Sequence, residues 1–133
     1  MNKTKISESK KQKQLLVGIR SNHQLFDELG TAFKLAEKGL PTKPVNHLYF
    51  ESAANMWRKL TPRRMELIHT LHQQEAMSIR KLAGILDRDY KSVHRDVHVL
   101  LPIGLIQKTD GGLIFVPWDV ILIDLKTIEK HAA

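Results

Sequence analysis

His94-Arg95-Asp96 spells the catalytic-loop tripeptide of a protein kinase, in which the aspartate takes the proton of the accepting hydroxyl. That chemistry also needs a Gly-rich loop, a lysine on a strand and a metal-binding Asp-Phe-Gly. None of these is in the sequence, and 133 residues are too few to build that fold. His94 and His98, four apart on one helical face, and His69 and His72, three apart, could each offer two ligands to a metal. No glutamate completes a His-Glu-x-x-His pattern, and the absence of cysteine removes thiolate ligands, disulfides and thiol nucleophiles. His94 and His98 have a simpler role as hydrogen-bond donors to a nucleic acid. There is no nucleophile–base pair, P-loop or dinucleotide fingerprint. The expectation is a protein that binds rather than catalyses, with no cofactor and no metal.

Charge says what it would bind. The formal net charge is +7, and residues 1–20 supply +5 of it through Lys3, Lys5, Lys10, Lys11, Lys13 and Arg20 against Glu8. A basic arm of this kind can follow a phosphate backbone. Its apolar part, Leu15 to Ile19, is too short for a signal peptide, and no run approaches the roughly 20 apolar residues of a membrane span. A cytoplasmic protein with no membrane partner is expected, and the length suits one domain with an extension.

The elements that would position these residues follow from periodicity and caps. Residues 1–22 read as a basic flexible arm. Apolar spacing predicts a helix over 23–38 through Leu25, Phe26, Leu29, Phe33, Leu35 and Ala36. Alternation predicts a strand over 45–51, with His47 and Tyr49 on one face and Leu48 and Phe50 on the other. Ser52 caps a short helix over 52–60. Thr61-Pro62 opens the next helix, to about Gln74, with the cap followed by proline at the first helical position. Ser78 caps another helix, whose Ile79, Leu82, Ile85 and Leu86 point inward. After the turn at 87–89, Asp89 caps a helix from Tyr90 to about Leu101, which Pro102 and Gly104 end. Strands over 105–108 and 113–116 flank a turn at 109–112, a hairpin signal, and a last strand covers 119–126. Trp57 and Trp118 are expected in packing.

Three helices with a tight turn between the second and third, followed by a hairpin, is the order of a winged helix-turn-helix. The fold class expected is α+β, mainly helical. The arm at 1–22 and a helix–strand–helix extension at 23–60, whose Phe26, Leu29 and Phe33 could be buried against a second copy or a toxin, lead into the winged body at 61–118, which a strand and tail at 119–133 follow. At about 100° per residue, the helix from Tyr90 turns Val93, Val97, Leu100, Tyr90 and Leu101 toward one side. Lys91, Arg95 and His98 lie opposite, with His94 at the border, Ser92 near the start and Asp96 off to the side. Such a helix can enter the roughly 12 Å major groove. The DNA-facing set expected is Tyr90, Lys91, Ser92, His94, Arg95 and His98, supported by Ser78, Arg80 and Lys81, by Arg63 and Arg64, and by Lys108 on the hairpin.

The stretches "LTPRRMELIHTL", "SIRKLAGILDRDYKSVHRDVHVLLPIGLI" and "GGLIFVPWDVILIDL" resemble a family of small bacterial and archaeal winged-helix proteins, loosely similar to the MarR and ArsR regulators. The resemblance covers roughly residues 45–126, and "RDYKSVHRDV" is its most specific part. It implies a transcriptional repressor, and, because many such proteins lie beside small toxin genes, an antitoxin. Carried over by position, it implies Lys91, Ser92, His94 and Arg95 as the DNA readers. The chain departs from the family's pattern at Pro102, where a polar helical residue is common. The partners expected are double-stranded DNA, a second copy of the chain, and a cognate toxin. Two other readings are a protein–protein interaction module of the same fold and a metal-responsive repressor.

Overall fold

The computed structural model describes residues 12–39 and 46–125. Its elements in chain order are β1 (Gln14–Ile19), α1 (Asn22–Glu37), β2 (Asn46–Phe50), α2 (Ala53–Lys59), α3 (Pro62–His72), α4 (Ile79–Leu86), α5 (Tyr90–Leu100), β3 (Gln107–Lys108), β4 (Ile114–Phe115) and β5 (Val120–Asp124). The fold is α+β: five helices, a three-stranded parallel sheet and a two-stranded antiparallel hairpin among the described residues. None of these helices is long and apolar enough to cross a membrane.

The helix starts lie where the local chemistry puts them. Ser52, Thr61, Ser78 and Asp89 each accept a hydrogen bond from the backbone N–H three residues on. Each thereby satisfies one of the amides that a first turn leaves without a partner. Ser21 does the same for α1 and forms a full capping box with Gln24. α4 ends on Asp87, which takes the left-handed conformation at φ 55°. That single reversal brings α5 back across α4 within a three-residue turn.

The core lies between the sheet and the helices. Leu67, Leu71, Leu82, Val93, Val97 and Leu100 from α3, α4 and α5 are fully buried, as are Leu105, Ile106 and Ile114 beyond them. Each such side chain contributes about 1.5–3 kcal/mol by leaving water. Ile85, expected to point inward with Leu82, is exposed instead. Trp118 closes one end, its indole N–H donating to the Gly104 carbonyl at 3.0 Å, whereas Trp57 is nearly half exposed. The hairpin is stitched to the helices by Met77, which exchanges two backbone hydrogen bonds with Ile114. Its turn needs Gly112 at φ 86°, a conformation that disfavours any side chain.

The sheet departs from expectation. Gln14–Ile19 is not part of a flexible arm: it is the central strand, flanked by β2 and β5, both parallel to it. Leu15, Val17 and Ile19 are buried, and the parallel pairing sets Val17 beside Leu48 and Ile123. The strands at 46–50 and 120–124 therefore do not pair with each other, because β1 lies between them. The hairpin strands are shorter than expected. Residues 1–11 of the expected arm, and Val45 and Lys126 of the expected outer strands, lie outside the described residues.

Candidate nucleic-acid interface

α5 has two chemically different sides. Val93, Val97 and Leu100 are fully buried against the core, and Lys91, His94, Arg95 and His98 are exposed. Asp89 fixes where the helix begins. Its carboxylate accepts the Ser92 backbone N–H at 3.0 Å and the Ser92 hydroxyl at 2.8 Å, and these two hydrogen bonds hold its pKa below the usual carboxylate value. Ser92 is thus oriented at the helix start, half-exposed beside Arg95.

A column of rings runs along the outer side. Tyr90, His94 and His98 are spaced one turn apart, the two imidazoles stacked at 4.0 Å and the tyrosine ring 5.6 Å from His94. The Arg80 guanidinium of α4 lies 4.9 Å over the Tyr90 ring, which ties the start of one helix to the start of the other. Tyr90, placed with the apolar stripe by its angle, is in fact 40% exposed and belongs to this column. His98 Nδ1 lies 2.8 Å from the His94 carbonyl. A carbonyl only accepts, so Nδ1 donates there, and Nε2 is the ring nitrogen left for another partner.

Asp96 is the buried charge of the site. Its side chain is 11% exposed and lies between two guanidiniums, Arg64 Nε at 3.0 Å and Arg88 Nη2 at 2.7 Å. Arg64 also donates to the carbonyls of Arg58 and Lys59, at 3.2 Å each. The sequence puts Arg64 in the DNA-facing set; its guanidinium is instead mostly buried, with Nε on Asp96 and Nη1 on the two carbonyls. Arg88, absent from the expected set, is the other arm of the clamp, and its Nε and Nη1 are buried without a partner. Two cations share one carboxylate, so the cluster keeps a net positive charge beneath α5. Above it a polar cleft of about 340 Å³ opens between the start of α3 and α5, with Arg63, Ser92 and Arg95 at its walls.

Arg63, Ser78, Arg80, Lys81 and Lys108 are placed at or near the surface. Arg63 borders the cleft and Arg80 the ring column; Ser78 and Lys81 mark the start of α4, the Ser78 hydroxyl being occupied by the Lys81 amide. Lys108 stands apart on the hairpin. His69 and His72 are not beside α5. They border an apolar cavity of about 330 Å³ between α3 and the sheet, where His72 Nε2–H donates to the carbonyls of Trp118 and Asp119. Among the described residues no three histidine, aspartate or glutamate side chains cluster as metal ligands would.

No curated protein and no solved structure matches the chain. Residues 59–123, just under half of it, match the model of a family described as HVO_A0114, a span that runs from the end of α2 through β5's Ile123 and contains every residue of the cleft and the ring column.

Proposed function

We propose that the chain is a sequence-specific DNA-binding regulator of transcription. In this reading α3 to α5 with the β3–β4 hairpin act as a winged helix-turn-helix, and α5 enters the major groove. The observation that carries it is the two-sidedness of α5, locked to the core by three apolar side chains and by the Asp96 clamp, with Lys91, Arg95, His94 and His98 held outward on a rigid element. Arg95 suits a guanine edge, which offers two acceptors to one guanidinium, and Nε2 of His98 is left to hydrogen-bond a base edge or a phosphate. Arg63 and Lys81, beside the first turns of α3 and α4, suit phosphates, where backbone dipoles add to their charge. Repression follows from occupying a promoter that polymerase needs.

Fluorescence anisotropy with duplexes from the gene's upstream region and with random duplexes tests this. Arg95→Ala is expected to lose about 1–3 kcal/mol on the preferred duplex and little on random DNA. Lys81→Ala is expected to weaken both alike and to reduce the salt slope by about one unit. Equal losses on both duplexes for Arg95→Ala would reject its base-reading role.

A further inference from the structure

α1 is an amphipathic helix turned the wrong way round for its own chain. Its apolar residues Phe26, Leu29 and Phe33 are 74%, 66% and 67% exposed. Its attachment is on another side, where Glu28 accepts from Arg20 Nε at 3.1 Å. Among the described residues nothing covers the stripe. Gly30 stands in mid-helix, where glycine costs about 1 kcal/mol relative to alanine, and a Cβ built there meets nothing within 4 Å. The chain's own packing does not require that glycine.

We propose that the stripe is covered by α1 of a second copy, running antiparallel. Phe26, Leu29, Phe33 and Ala36 follow the three–four spacing of a two-helix seam. In an antiparallel pair of that register, Phe33 lies opposite Leu29 of the second copy and Phe26 opposite its Ala36, so each layer matches a large side chain with a smaller one. Both flanks of the seam are built for close approach. Gly30 meets Gly30 of the second copy at the two-fold on one side, and Ala32 meets Ala32 on the other. At the ends of the first flank His23, whose Nε2 lies 3.7 Å from Asp27 of its own helix, comes beside Glu37 of the second copy, where an imidazole N–H can donate to the carboxylate, a contact made twice. A parallel pair would set Glu37 beside Ala32 instead, so the His23–Glu37 hydrogen bond favours the antiparallel arrangement. The seam is self-complementary, as a two-fold interface must be. Two helices of roughly 24 Å each offer a seam toward the lower end of the size range of specific interfaces. The inference stands independently of nucleic-acid binding.

Sedimentation equilibrium of the full chain without DNA, at about 1–100 μM, tests the association. A dimer is expected, and Leu29→Glu is expected to leave a folded monomer throughout that range, since the residue is exposed in the single chain. Oxidative cross-linking tests the register in a chain that has no cysteine of its own. Ala32→Cys is expected to form a covalent dimer at least tenfold faster than Thr31→Cys, which lies on the outer side of the helix. A chain that stays monomeric at 100 μM, including one that associates only with a different protein such as a toxin, would overturn the proposal. So would a dimer indifferent to Leu29→Glu, or equal cross-linking at the two cysteine positions.

Discussion

At the scale of single residues, the clamp around Asp96 sets the position of the proposed reading helix. Removing one member of a buried ion pair leaves an uncompensated charge, at a cost of several kcal/mol. Asp96→Asn is therefore expected to cost about 3 kcal/mol of unfolding free energy by chemical denaturation, because two guanidiniums lose the carboxylate they share. Arg88→Met is expected to cost less, since Arg64 and Asp96 remain as a pair and two unpartnered N–H groups are removed. Equal costs would contradict the clamp. Asp89 makes a pH-dependent contribution. Its pKa is lower in the folded chain, so the stability it adds is present above the ordinary carboxylate value and is lost as pH falls through the lowered value. An asparagine in its place would cap without titrating. Wild type is expected to melt slightly above Asp89→Asn at neutral pH, with the gap closing below about pH 4. Sequence reasoning found Asp89 because a cap and its amide are three residues apart. It set Asp96 off to the side of the basic face and did not join it to Arg64, because Arg64 lies 32 residues away and no local pattern connects them.

At the scale of elements, the helices were legible and the sheet was not. Ser52, Thr61, Ser78 and Asp89 announce helix starts through bonds made within one turn, and Val93, Val97 and Leu100 announce the inward side of α5 through spacing alone. β1 announces nothing comparable. Its apolar run is five residues long and sits among lysines, and its two parallel neighbours arrive after a helix on one side and after most of the chain on the other. Parallel pairing is long-range by construction, so a short central strand gives no alternation strong enough to outweigh a charged context. The expected arm and the observed strand differ in a measurable way. Val17 is fully buried at the centre of the sheet, so Val17→Asp is expected to cost at least about 3 kcal/mol or to prevent folding, whereas a residue in a flexible arm would tolerate the change. A thermal melt in which Val17→Asp behaves like wild type would remove β1 from the fold.

At the scale of the whole molecule, the proposed account joins two surfaces with different chemistry. The basic, ring-lined outer side of α5 offers cations and hydrogen-bonding groups to a polyanion, and the apolar side of α1 offers a seam to a second copy. The net charge of +7 favours association with DNA at low salt and makes every affinity salt-dependent. Association through α1 would carry two reading helices into one particle, so duplexes with two half-sites should bind more tightly than those with one, and Leu29→Glu should erase that difference while leaving half-site affinity unchanged. The advantage surviving in Leu29→Glu would separate the two surfaces.

The claim on which the rest depends is that the outer side of α5 lies against duplex DNA. Titration of the isotope-labelled protein with a duplex it binds, followed by backbone amide NMR shifts, tests it most directly. The account predicts the largest changes at Lys91, Ser92 and Arg95, with smaller ones at Arg63 and Lys81. Shifts confined to α1 or the sheet, with α5 unmoved at saturating duplex, would contradict it.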